Sequence, residues 1–97
     1  MLIRQAHPSD ARSISQLLAQ LGYPEMNEKM AEEKIKIHAT EGYHLLVAEI
    51  ELQVVGFIAL HWFELMHWQS KMGRIIAFCV DENFRSRGVG KQLLDAK

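Results

Sequence analysis

Cys79 is the only cysteine in 97 residues, so no internal disulfide can form. Small secreted scaffolds depend on such bridges; a reducing compartment, and hence a cytoplasmic location, is expected. No run approaches the ~18 apolar residues that mark a membrane helix. The N-terminus lacks the charged-then-apolar pattern of a signal peptide. Neither sign of charge dominates: 11 Lys and Arg stand against 12 Asp and Glu, for a net charge of −1. No global field favours nucleic acid or a membrane surface. Repeats, linkers and low-complexity segments are also missing, and an apolar fraction of 48% is too high for disorder. What remains is one domain, residues 1–97.

Apolar periodicity lays out its elements. Leu2 to Ala6 reads as a short strand, followed by His7-Pro8-Ser9-Asp10, where a helix would begin. Ile14, Leu17, Leu18 and Leu21 recur at helical spacing, and Gly22 stands at the C-cap position. Pro24 precedes a charged second helix over Met26 to His38, with Met26, Met30 and Ile37 as its core-facing residues. Tyr43 to Ile50 and Gln53 to Phe63 read as an antiparallel hairpin whose tight turn near Glu51 lacks glycine. Met72 to Val80 reads as a central strand, apolar on both faces after Arg74.

The most informative stretch follows that strand. Asp81-Glu82-Asn83 breaks the apolar run, and Arg85-Ser86-Arg87-Gly88-Val89-Gly90-Lys91 opens a helical pattern near Gly88. Glycine permits positive φ and a close ligand approach. The first N–H groups of a helix lack internal partners and carry partial positive charge, which suits an anion. Arg85, Arg87 and Lys91 add full charges; each hydrogen bond to a charged group contributes ~1.5–3 kcal/mol. The spacing excludes Walker A, since Gln92 rather than Ser or Thr follows Lys91. It also excludes the dinucleotide fingerprint, since Leu93 occupies the third glycine position.

Arg85-x-x-Gly88-x-Gly90 resembles the [Q/R]-x-x-G-x-[G/A] signature of the GNAT superfamily of N-acetyltransferases, and Phe78 through Arg85 look like that family's fourth strand and exit turn. The resemblance implies an α/β fold of order β-α-α-β-β-β-α, with a mixed, mostly antiparallel sheet flanked by helices. It implies acetyl-coenzyme A as co-substrate, with its pyrophosphate on the N–H groups of Ser86, Arg87, Gly88, Val89, Gly90 and Lys91, beside Arg85. The pantetheine arm would run along the main chain of Phe78, Cys79 and Val80. The expected reaction is acetyl transfer to a primary amine; the alternative is a non-catalytic remnant that binds coenzyme A or only self-associates.

By the same resemblance the chain ends inside the helix after the loop. The C-terminal half of such a domain, which commonly supplies a general-acid tyrosine, is expected to be absent. The strand left without its neighbour then has an open edge, and self-association as a homodimer or higher is expected there. Glu64, His61 and His67 are weak candidates for a general base. Cys79, inside an apolar strand, reads as a packed core residue rather than a nucleophile. Two histidines six apart, His61 and His67, are too few ligands for a metal. The amine itself is not legible, because fold does not fix substrate.

Overall fold

A computed structural model describes residues 1–96. Its elements are β1 (Leu2–Gln5), a 3-10 turn (Pro8–Asp10), α1 (Ala11–Leu21), α2 (Glu28–Ile37), β2 (Tyr43–Ile50), β3 (Gln53–Glu64), β4 (Lys71–Val80), a second 3-10 turn (Glu82–Phe84) and α3 (Val89–Ala96). The expected β-α-α-β-β-β-α order holds. The four strands form one sheet in the order β1-β2-β3-β4, and every described pairing is antiparallel.

Alternation along the strands divides the core between two faces. Ala11, Ile14 and Leu17 of α1 and Ala31 and Ile35 of α2 pack with Val47, Phe57 and Cys79. Val89 and Leu93 of α3 pack on the other face with Ala48, Val55, Ile58 and Leu60. β3, covered on both sides, is the centre of the molecule, with Val54 through Leu60 all buried.

The caps follow from local chemistry. Gly22 adopts φ 114° after α1, and the Gly22 and Tyr23 N–H groups close the helix end onto the Ala19 and Leu18 carbonyls. α2 starts later than the sequence pattern implies, because Asn27 Oδ1 accepts the Met30 N–H at 2.9 Å and so sets the N-cap. Packing against α1 and the sheet takes Ala31 and Ile35 inward and leaves Met30 and Ile37 exposed, correcting their assignment to the core. The β2–β3 turn is built without glycine: Glu51 and Leu52 both take positive φ, at 50° and 67°. A two-residue hairpin turn whose twist matches the strands requires that conformation.

A second correction concerns the burial of β4. It is an edge strand among the described residues, with β3 on one side only, as the open-edge expectation had it, but its faces are not both covered. Ile75 and Ile76 are 42% and 38% exposed, and Cys79 alone in β4 is buried. An apolar run shows that a strand is fit for burial; which neighbours it receives depends on topology. β4 also carries a bulge. Ala77 pairs with Ala59 and Ile75 with Leu60, so Ile76 is an extra residue in the ladder.

The N-terminal strand is locked to the start of α1 by ions. The Arg4 guanidinium donates to both Asp10 carboxylate oxygens, at 2.8 and 2.9 Å, and to Glu49 Oε1 at 2.9 and 3.2 Å. Asp10 also accepts the His7 N–H at 2.7 Å. Hydrogen bonds from Arg4 hold the buried Asp10 carboxyl below the usual carboxylate range, against the opposing effect of burial. A depressed folded-state pKa contributes stability that is present above the unfolded value, about 4, and is lost as the pH falls through the lower folded value. Asp10→Asn is therefore expected to cost about 2 kcal/mol at neutral pH. Urea unfolding at a series of pH values should show that difference shrinking below the ordinary carboxylate range; a difference independent of pH would contradict this account.

Candidate functional site

The site starts with how α3 is seated. Val89 and Leu93, 1% and 0% exposed, lie against Gly56 of β3. A Cβ at Gly56 would meet Leu93 Cδ1 and Val89 Cγ1 at 3.2 Å and the Cys79 carbonyl oxygen at 3.1 Å. Gly90 rests on β4 in the same way, since a Cβ there would stand 3.3 Å from Phe78 Cζ. Two absent side chains thus let the first turn of α3 settle directly on β3 and β4.

The approach to that turn engages some main-chain donors and not others. Glu82 N–H donates to Gln20 Oε1 of α1 at 2.9 Å, Asn83 N–H to Asp81 Oδ1 at 2.9 Å, and Phe84 N–H to the Asp81 carbonyl at 2.9 Å. Ser86 and Gly88 then take positive φ, at 70° and 78°. The first bond into α3 runs from Gln92 N–H to the Gly88 carbonyl at 3.1 Å. Among the described residues, the N–H groups of Ser86 through Lys91 make no well-aligned short hydrogen bond, although the chain over 85–88 is turned. They form a run of donors at a helix start, the arrangement that accepts an anion. Ser86, Arg87, Gly88 and Lys91 are exposed there. Arg87 is steadied by the Phe84 ring, whose centroid is 5.2 Å from its guanidinium carbon.

Phe78, Cys79 and Val80 lead into this loop, and strand alternation sorts them. Asp81 N–H bonds the Val55 carbonyl at 2.7 Å, and Cys79 lies opposite Phe57. In an antiparallel ladder, Cys79 then directs its main chain to β3, while Phe78 and Val80 direct theirs to the open edge. The Val80 carbonyl accepts Arg85 Nε at 3.2 Å, which brings that guanidinium to the edge. The Cys79 thiol belongs to the core: it donates to the Leu17 carbonyl at 3.4 Å, and burial pushes its pKa up.

The three base candidates are not brought together. Glu64 and His67 are exposed at the far end of the β3–β4 hairpin. His61 is packed, its ring stacked on Tyr43 at 4.6 Å and on Phe63 at 5.7 Å. His38, which the sequence did not single out, meets Tyr43 edge-on at 5.1 Å. Its Nδ1 lies 2.7 Å from the Lys34 carbonyl, which can only accept, so Nδ1 carries the proton and Nε2 keeps a lone pair when neutral. Nothing at the end of a charged helix distinguishes such a histidine from a solvated one.

His38 lines two neighbouring cavities. One, of about 580 Å³, is bounded by Gln5, Thr40, Glu41, Tyr43, His44 and Trp62 among others. The other, of about 180 Å³, lies between α1, α2 and the sheet, with Ala59 and Ala77 on its wall. Among the described residues, no three His, Cys, Asp or Glu side chains converge as a metal would require. No described helix is long and apolar enough to cross a membrane.

Comparison with known proteins bears on the family and the fold. A GNAT family acetyltransferase from Staphylococcus aureus superposes with a TM-score of 0.87 at 27% identity, over 98% of this chain and 73% of that one. A ribosomal-protein-alanine N-acetyltransferase from Brucella melitensis biovar Abortus gives a TM-score of 0.82 at 22% identity, and the chain covers 66% of that protein's length with 98% of its own. Glucosamine-6-phosphate N-acetyltransferase from Arabidopsis thaliana gives 0.82 at 20% identity, over 98% of this chain and 69% of that one. The latter two likenesses carry the fold alone. No curated protein matched the sequence. The model of the acetyltransferase (GNAT) family matches residues 11–96, from the first turn of α1 through the last described residue of α3, and the chain belongs to that family.

Proposed function

We propose that this chain binds acetyl-coenzyme A along the open edge of β4 and at the start of α3, and that the acetyl group passes to a primary amine. The row of N–H groups from Ser86 to Lys91, without a well-aligned short bond, carries the proposal. A diphosphate supplies the oxygens such a row needs, and Arg85, Arg87 and Lys91 supply countercharge. The pantetheine arm would lie along β4, where Phe78 and Val80 offer main-chain groups to the edge. From Val80 to the bulge at Ile76 is about 13 Å, at ~3.3 Å per residue. The thioester would end near that bulge, where the ladder is interrupted and a main-chain group is re-aimed. A neutral amine then forms a bond to the carbonyl carbon as the carbon–sulfur bond breaks; the thiolate leaves, and the amine proton passes to a base or to water.

Self-association belongs to the same proposal. The β4 edge would offer its unpaired main-chain groups to a second copy of the chain, so coenzyme and partner would compete for it. Light scattering over a concentration series should show an apparent mass that rises with concentration and falls when acetyl-coenzyme A is added. A monomer throughout would contradict it.

Calorimetry with acetyl-coenzyme A tests the binding step. Arg87→Ala and Lys91→Ala should each weaken binding by about tenfold, since a charge-assisted hydrogen bond contributes ~1.5–3 kcal/mol, and both should lessen its salt dependence. Unchanged affinity would show that the loop does not hold phosphate. Thiol release with a panel of amines separates transfer from binding alone, and binding without release would favour the non-catalytic alternative.

A further inference from the structure

We propose that the acceptor is a monoamine carried on an apolar body, seated in the slot between α1, α2 and the sheet; this rests on the acetyl-transfer reading above. The slot, of about 180 Å³, is walled by Ile14, Leu18, Phe57 and Leu45, with Met26 on its rim. A dry cavity of roughly 150 Å³ lined by similar side chains accepts benzene, so this one suits a phenyl ring or a short alkyl chain. Met26 precedes the α2 cap in the α1–α2 connection, where an unbranched thioether can adjust to the shape of its guest.

Its position ties it to the reacting end of the coenzyme. Ala59 and Ala77, both on the slot wall, are cross-strand partners, and the next residue along β4 is the bulged Ile76. An apolar group held over these two methyls brings an attached nitrogen to the stretch of edge where the thioester would end. Larger residues at either position would close the slot; the chain has alanine at both.

Charge narrows the class further. No Asp or Glu lines the slot; its ionisable neighbours are Lys34 and His38. A polyamine or an aminoglycoside would bring several ammonium groups to a place with no countercharge, which is costly. A single amine on a hydrocarbon body leaves only its reacting nitrogen to be accommodated, and that nitrogen must be neutral to attack. A longer acceptor would continue past His38 into the larger cavity, where Gln5, Thr40 and His44 offer hydrogen bonds and the single carboxylate, Glu41, is matched by Lys71.

The test follows the alanine methyl signals of the full chain by NMR during titration with 2-phenylethylamine, hexylamine and spermidine. The first two should shift the Ala59 and Ala77 methyls saturably; spermidine should not. Ala59→Val narrows the slot and should weaken hexylamine binding by about tenfold, as expected for added carbon in an apolar pocket, while acetyl-coenzyme A affinity stays the same. Ala77→Val, at a less buried position, gives the same comparison if the first variant folds poorly. Spermidine binding as well as hexylamine, or binding that neither valine weakens, overturns the slot assignment. A chain that binds the apolar amines without acetyl-coenzyme A keeps the slot and overturns the acetyl-transfer reading. One that binds the coenzyme and none of these amines does the reverse.

Discussion

The contact on which the rest depends is the seating of Val89 and Leu93 in the notch over Gly56. Burying two such side chains contributes ~1.5–3 kcal/mol each. That energy fixes where the first turn of α3 stands relative to β4, and with it where the N–H groups of Ser86 through Lys91 lie. A helix start is a generic anion site. Here Gly90 lets it rest on Phe78, so that the helix start and the open edge of β4 share one surface. The Glu82 N–H bond to Gln20 ties the same junction to α1 on the opposite face of the sheet.

That junction divides the chemistry into two halves. On the α3 side lie the loop and its cations. On the α1–α2 side lies the carbon-lined slot, and β4 with its bulge stands between them. On the proposed reading, the arrangement would keep a charged coenzyme away from the apolar cavity and let the two meet at the strand edge. The ionic cluster of Arg4, Asp10 and Glu49 stands apart from both and serves to hold β1 and the entry to α1 on β2.

Element order was legible because each segment carries a local signal: helical spacing in α1, a glycine cap at Gly22, and an apolar strand before a glycine pair. The turn over Arg85 to Lys91 into α3 was legible for the same reason, since a glycine pair after an apolar strand marks it. What escaped depends on neighbours remote in sequence. The apolar run of β4 read as doubly buried, yet burial of a strand's faces is set by what packs on them, and among the described residues only Cys79 of β4 is buried. The bulge at Ile76 is a property of register between two strands, and no single residue announces it. His38 and Tyr43 are five positions apart, but their packing against His61 exists only after β2 and β3 pair. The inward face of α2 was misjudged because its few apolar residues lie on more than one face, and packing against α1 and the sheet selects Ala31 and Ile35.

The most direct test of the account is an amide NMR titration of the full chain with coenzyme A. The N–H signals of Ser86 through Lys91 should move downfield and saturate together with those of Phe78 and Val80, while Cys79, whose main chain faces β3, moves less. Saturable shifts confined to the α1–α2 face, or loop amides that do not respond at millimolar coenzyme A (on the order of 4 kcal/mol of binding), would contradict it.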